Sequence, residues 1–286
     1  MRIATSLAAL VVAFVVADGA VGQPRSGAAE APTPRSSAPV DLTGYWVAVV
    51  SEDWRHRMAT PRKGDYESLP LNSEGRRVAD TWDLDADNAA GLQCKAFGVG
   101  GLMRQPGRLH VTWQDDDTLR IDFDAGTQTR LLQFGQAARP AAEKTWQGHS
   151  IAEWERPPGG RGTAIRAQIG NSTGPIAPGG GGRGQRGGPP PSSAINQGGA
   201  LQVITTGFRE GYLRKNGVPY SEDASITEYF HRLPQHPNGD TWLHVVTIVA
   251  DPRYLAEPFY TSTHFRLEPN GADWNATACR TAPPPP

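Results

Sequence analysis

This sequence of 286 residues has only two cysteines. It also has no excess of either charge and no long apolar run. Its 28 Lys and Arg residues balance 29 Asp and Glu residues, and the formal net charge of −1 argues against bulk affinity for nucleic acid or anionic membranes. No apolar run approaches the roughly 20 residues that a membrane-spanning helix needs. The glycine-rich stretch 179–188 carries no lysine and follows no strand-to-helix turn, which argues against a phosphate-binding loop.

The first 22 residues have the layout of a secretory signal peptide. Arg2 precedes an apolar stretch at 7–16, and the small residues at 20–22 are typical of a cleavage site. We therefore predict a signal peptide at 1–22 and an exported protein, periplasmic or secreted.

Three further segments have too little apolar content to form a core. Residues 23–40 are rich in Ala, Pro, Ser and Gly and are predicted to be a flexible leader. The Gly/Pro-rich stretch 156–199 is predicted to be a disordered insert between two strands, and 281–286 is a Pro-rich tail. What remains is one domain at 41–280, which contains the insert and is large enough for a closed barrel.

Cys94 and Cys279 are the only cysteines. Two cysteines in an exported chain are usually oxidised, so we predict a disulfide between them. The alternative is one reactive thiol.

Apolar and polar residues alternate with a period of two in short segments, which is typical of β-strands with one buried face. Asp, Asn, Gly and Pro clusters separate these segments, and Asn216-Gly217 is a strong hairpin signal. One short helix is predicted near 72–82, with Asn72 or Ser73 as its N-cap. We expect an all-β protein, an up-and-down antiparallel lipocalin-like barrel of about 8–10 strands, with a sandwich as the alternative. The strand segments are 42–50, 109–114, 118–124, 127–134, 146–155, 200–207, 208–215, 224–233, 241–250 and 258–267.

Gly44-Tyr45-Trp46 on the first strand resembles the motif that closes one barrel end in the lipocalin/calycin superfamily. That resemblance implies a barrel with a ligand cavity. The segments 94–98, 148–150, 154–155 and 227–230 also resemble a large group of exported bacterial proteins of unassigned function. The second resemblance implies no activity.

Two charged residues share strand parity with apolar residues and should point into the barrel. Arg130 alternates with Leu132, and Glu228 alternates with Phe230. Because a lone buried charge is costly, each should pair with the other or with a ligand. They could anchor a ligand or act in catalysis, with Glu228 as base and Arg130 stabilising an anion; alternatively they form a structural ion pair.

Other candidate residues follow from the same parity argument. His149 and Glu153 are secondary candidates for an acid/base pair, and His264 is another, although their parity indicates the outer face. The predicted ligand-binding residues at the barrel wall or mouth are Trp46, Trp113, Trp154, Thr261 and Thr263.

No metal or cofactor is predicted, because the seven histidines are scattered without a recognised ligand spacing. The leading hypothesis is an exported protein that binds a small hydrophobic or amphipathic molecule in a barrel cavity. One alternative is a cofactor-independent lyase, isomerase or hydrolase that uses the Glu/Arg pair. Another is an envelope interaction protein whose barrel is filled by side chains.

Overall fold

The structure, a computed structural model, describes residues 31–135, 143–155 and 199–285. The expected signal peptide, the first part of the leader (23–30) and nearly all of the predicted insert lie outside these residues. Among the described residues, no helix has the length and hydropathy that a bilayer crossing by a helix would require.

The described residues form eleven β-strands and four short α-helices. The strands are β1 (Gly44–Val49), β2 (Arg108–Trp113), β3 (Thr118–Phe123), β4 (Gln128–Phe134), β5 (His149–Glu155), β6 (Ala200–Thr206), β7 (Gly211–Arg214), β8 (Val218–Tyr220), β9 (Ser225–Arg232), β10 (Trp242–Ala250) and β11 (Phe259–Glu268). The helices are α1 (Trp54–Met58), α2 (Ser73–Ala79), α3 (Leu84–Ala89) and α4 (Val99–Leu102), and 3₁₀ turns cover Gln93–Phe97 and Ala125–Thr127.

Nine strands close into a barrel in the order β1-β11-β10-β9-β6-β5-β4-β3-β2. The prediction of a β-barrel is confirmed, and the sandwich alternative is wrong. The prediction of a purely up-and-down antiparallel barrel is also wrong, because β4 and β5 pair in parallel. A ring with an odd number of strands cannot alternate direction throughout, so at least one neighbouring pair must run parallel.

Strand parity decides which side chains form the barrel core. Leu109 and Val111 of β2 lie opposite Phe123 and Ile121 of β3, and all four are buried. The residues between them face outward and are half-buried, as the alternation predicts. Burial of one face of each strand therefore stabilises this register, since a slip by one residue would expose the core face.

A second, smaller core covers one end of the barrel. It joins α2 and the β7–β8 hairpin to the ends of β9, β10 and β11 through buried residues such as Leu71, Val218 and Phe259. Asn72 caps α2 by accepting a hydrogen bond from Gly75 N, in agreement with the predicted cap. The prediction of only one helix is wrong, because the three other helices are too short to show helical periodicity in the sequence.

The β7–β8 hairpin turns at Asn216-Gly217 as predicted. Gly217 has φ of 79°, a conformation that favours glycine, and a Cβ atom there would lie 2.1 Å from the Trp82 ring. The hairpin thus packs closely on the segment that follows α2.

Cys94 and Cys279 form a disulfide with their Cα atoms 5.1 Å apart, which confirms that prediction. The bond holds the chain beyond β11 against the 3₁₀ turn at Gln93–Phe97. Thr277 N also donates to Asp124 O at 2.8 Å, so the C-terminal segment is attached to the barrel at a second point.

Candidate functional site

Arg130 and Glu228 form a fully buried ion pair that crosses the barrel interior from β4 to β9. Arg130 Nη1 donates to Glu228 Oε1 at 3.0 Å, and Nη2 donates to Oε2 at 2.5 Å. The two residues therefore meet, as their strand parity led us to expect.

Two hydroxyl groups extend this buried network. Arg130 Nη2 lies 3.3 Å from Thr205 Oγ1, which is 2.8 Å from Ser150 Oγ. Arg130 Nε has no partner among the described residues. Both carboxylate oxygens of Glu228 accept from Arg130, so a ligand that replaced one partner would leave the other buried and unpaired, at a cost of several kcal/mol. This geometry favours a structural ion pair, and a role as ligand anchor or catalytic pair stays a prediction.

The three predicted tryptophans belong to the barrel wall. Trp46 is completely buried, and its indole Nε1 donates to Leu42 O. Trp113 and Trp154 each lie 5.5 Å from the Phe134 ring, measured between centroids, and are partly buried. Trp154 Nε1 donates to Pro34 O, so a turn of the expected leader contacts this aromatic group. Ligand contact by these side chains stays a prediction.

Thr261 and Thr263 alternate with the outward residues of β11. Thr263 is completely buried, and its hydroxyl lies 3.4 Å from Val245 O. Thr261 is half-buried opposite Thr247, which in turn lies opposite Glu228 in the register of β9 and β10. Thr261 is thus separated from Glu228 by one strand, and both threonines lie on the strand next but one to the ion pair.

His149 and Glu153 lie on the outer face of β5, where they alternate with buried Ser150 and Ala152. Four residues of strand span about 13 Å, which is too far for direct proton transfer between the two side chains. The structure therefore does not bring this candidate pair together.

His264 lies on the outer face of β11, and its Nδ1 atom is 2.5 Å from Glu52 Oε1. It is the last of three histidines in one row across neighbouring strands: His231 lies opposite His244, and His244 lies opposite His264. Burial, followed by repulsion from the two flanking histidines, lowers the pKa of His244.

A different site, which strand parity could not reveal, begins at α1. This helix buries His56 and Arg57 while Trp54 and Met58 are 65% and 58% exposed. A surface helix normally buries its apolar residues, so the orientation of α1 is the reverse of the usual one. Asp53, which precedes the helix, has φ of 49°, a backbone conformation that is rare for non-glycine residues and concentrates at functional sites.

Four cationic side chains converge beneath α1, and we name them the cationic cluster: Arg57, Arg104, Arg214 and Lys215. Arg57 Nε donates to Arg104 O at 3.0 Å, and Lys215 Nζ donates to Arg57 O at 2.8 Å. Arg104 Nη2 forms an ion pair with Asp53 at 2.7 Å. The three arginines are buried, and Lys215 is half-buried.

The cationic cluster is not fully compensated by carboxylates. Arg57 lies 3.4 Å from Glu52, whereas Arg214 donates only to the backbone carbonyls of Asp65 and Glu67. Arg57 Nη2 and Arg214 Nε are buried without a partner among the described residues. Buried donors without acceptors are rare, so these two atoms indicate where an acceptor group could bind.

The pKa values of two cluster arginines reflect this environment. Burial, followed by repulsion from Arg104, lowers the pKa of Arg57 to about 10. The same two causes lower the pKa of Arg214 to about 10. An anion bound among these groups would favour their charged forms and raise both pKa values again.

An open groove of about 590 Å³ adjoins the cationic cluster. Two residues connect them, because Glu67 accepts from Arg214 through its carbonyl, and the Phe259 ring lies 5.9 Å from the Arg104 guanidinium carbon. Tyr260, 64% exposed, contributes an aromatic wall. The remaining lining residues are Gly64, Tyr66, Ser68, Leu69, Pro70, Arg76, Glu257 and Pro258.

His56, Asp65 and Glu67 come close enough to hold a cation, since one ligand atom from each lies within 4.8 Å of the others. Arg55 already supplies a positive charge there. Its Nη2 atom is 3.0 Å from His56 Nε2, 3.3 Å from Asp65 Oδ2 and 3.1 Å from Glu67 Oε2. Among the described residues, this group is therefore an internally balanced ion-pair network.

The cationic cluster comes from the short helix α1, the turn after α4 and the β7–β8 hairpin, so alternation of apolar residues gives no information about it. The one sequence signal is the density of charge at 52–57 beside Trp54. No family model, curated protein or solved structure matches this chain.

Proposed function

We propose that this is an exported binding protein for a small amphipathic anion, which it holds at the barrel end beside α1. The observation that carries the proposal is the pair of buried, unpartnered donors on Arg57 and Arg214 within the cationic cluster. Guanidinium groups bind carboxylates and phosphates through charge-assisted hydrogen bonds, which are stronger than neutral ones.

The groove beside the cluster supports an amphipathic ligand. Its volume of about 590 Å³ lies within the range of small-molecule sites, and aromatic and proline side chains supply apolar walls. An anionic head at the cluster and an apolar tail along the exposed side chains of Pro258 and Tyr260 would use both surfaces.

The segment 62–69 controls access to the cluster. Arg214 holds it through Asp65 O and Glu67 O, and Asn216 holds it through Arg62 O and Asp65 O. A bound anion would compete with these carbonyls for Arg214, so binding requires this segment to move.

This proposal keeps the class of function that the sequence suggested but places the ligand at the barrel end. The signal-peptide pattern and the disulfide support export. The likeness to lipocalins also remains a proposal; it rests on the closed barrel and on Gly44-Tyr45-Trp46 at the start of the first strand.

The test is isothermal titration calorimetry with dodecanoate and dodecyl phosphate. We expect Arg214→Lys, which removes the unpartnered Nε donor, and Lys215→Met, which removes one charge of the cluster, each to weaken binding of these anions by roughly tenfold or more, since a charge-assisted hydrogen bond contributes about 1.5–3 kcal/mol. Tyr260→Ala should weaken binding less, because Tyr260 lines the groove and its removal deletes apolar contact alone.

Arg120→Met is the matched control, because Arg120 is paired with Asp122 on the far outer face of β3. Dodecyltrimethylammonium, which has the same tail and the opposite charge, should not bind. Equal binding of the cationic and anionic amphiphiles, or unchanged affinity in Lys215→Met and Arg214→Lys, would overturn the proposal.

A further inference from the structure

The histidine row on the outer face of the barrel consists of His231 on β9, His244 on β10 and His264 on β11. The rings of His244 and His264 are stacked, with centroids 4.6 Å apart and planes within 5°. The centroids of His231 and His244 are 6.4 Å apart. Three imidazoles thus lie side by side on rigid, hydrogen-bonded strands of one sheet.

Glu52 adds a carboxylate to this row. Its Oε1 atom lies 2.5 Å from His264 Nδ1, and Ser262 Oγ donates to the same oxygen at 3.2 Å. The side chains of Glu52 and His264 are 34% and 32% exposed, so an ion can reach them from solvent. Carboxylates that ligate metals are usually held in place by hydrogen bonds from neighbouring residues, as Glu52 is here.

The ring nitrogens of His231 and His244 make no hydrogen bond to any other described residue. Structural histidines on a strand usually hydrogen-bond through at least one ring nitrogen, because the imidazole has a donor and an acceptor. Their ring contacts are with aromatic neighbours: His231 with Tyr229 and His244, and His244 with His264. Metal binding by these nitrogens would therefore break no hydrogen bond to another described residue.

Imidazole and carboxylate are the ligand types that bind Zn²⁺, Ni²⁺ and Cu²⁺. Metal–nitrogen bonds of about 2.0–2.1 Å require ligand nitrogens that are close neighbours. As the side chains lie, the ligand atoms of His244, His264 and Glu52 are not all within 4.8 Å of one another; among the described residues only His56, Asp65 and Glu67 meet that spacing. Binding at the histidine row therefore requires the stacked rings of His244 and His264, with centroids 4.6 Å apart, to rotate so that one nitrogen of each faces a common point. We propose that His244, His264 and Glu52 bind one divalent transition-metal ion on the outer face of the barrel, with His231 as a further ligand.

This site is separate from the proposed anion site, although Glu52 touches both. Its Oε1 atom faces His264, and its Oε2 atom faces Arg57 at 3.4 Å. Substitutions of the histidines leave the contacts of the cationic cluster in place, so metal binding and anion binding can be scored independently.

The experiment is a Zn²⁺ titration of the untagged, disulfide-bonded protein by calorimetry, with the bound metal counted by mass spectrometry after dialysis. We expect one Zn²⁺ per chain in the wild type and no stoichiometric binding in the double variant His244→Gln/His264→Gln. Glu52→Gln and His231→Gln should each weaken affinity, the former by about tenfold or more. Titration with Cu²⁺ should give an electron paramagnetic resonance spectrum with coupling to at least two nitrogens.

His110→Gln is the matched control, because His110 also lies on the outer face but stacks on Tyr45, with ring centroids 3.9 Å apart. The His110→Gln variant should bind Zn²⁺ as the wild type does. If the double variant does not fold, the single variants His264→Gln and His244→Gln replace it in the titration, after circular dichroism has shown that they are folded. Retention of one tight Zn²⁺ in these variants, or no stoichiometric Zn²⁺ in the wild type, would overturn the proposal.

Discussion

Arg130→Met should destabilise the protein by about 3–5 kcal/mol, because it leaves the carboxylate of Glu228 buried without a partner. Neither side chain is exposed, and both oxygens of Glu228 accept from Arg130, while no other described residue donates to this carboxylate. Guanidinium-induced unfolding followed by tryptophan fluorescence measures the change.

The double variant Arg130→Met/Glu228→Leu is the decisive comparison. Replacing both partners by apolar residues of similar volume removes the unpaired charge, so it should recover most of the stability lost in the single variant. Arg120→Met is the control for loss of an exposed arginine, with an expected change below about 1 kcal/mol. If Arg130→Met were as stable as the wild type, the ion pair would not be structural, and a ligand role for Glu228 would be favoured instead.

Replacing both cysteines, as in Cys94→Ala/Cys279→Ala, should lower the free energy of unfolding by about 5 kcal/mol in the chain-entropy model. The disulfide spans 185 residues of sequence, and the entropy that a cross-link removes from the unfolded chain grows with the length of the closed loop. Guanidinium-induced unfolding of the oxidised wild type and of the double variant gives the difference.

The same measurement in reductant provides the control. The reduced wild type should unfold at the midpoint of the double variant, and reductant should not affect the double variant itself. A loss below about 1 kcal/mol would show that the unfolded chain is already compact around these cysteines, since residual structure there reduces the entropic effect.

The strands of the barrel could be predicted because burial of one face imposes a period of two on the sequence. This argument placed Leu109 and Val111 inside, and it placed Arg130 and Glu228 on the inner faces of strands far apart in the chain. The hairpin at Asn216-Gly217 and the cap at Asn72 could be predicted because local backbone geometry selects those residue types.

The neighbours of each strand could not be predicted in the same way. Parity states which face a residue occupies but not which strand lies beside it, so the parallel pairing of β4 with β5 and the count of nine strands emerged only in the structure. The other three helices were missed because pieces such as α1 and α4, of five and four residues, are too short to show a helical repeat.

By itself, the sequence determined the β class of this protein, the inward parity of Arg130 and Glu228 and the pairing of Cys94 with Cys279, because each depends on local pattern or on the number of candidates. Only the tertiary structure decided that the cationic cluster gathers beneath α1 and that His231, His244 and His264 form one row. Both arrangements depend on which loops and strands lie side by side, and that is set by closure of the nine-stranded barrel and by the packing of the β7–β8 hairpin and the helices against its end.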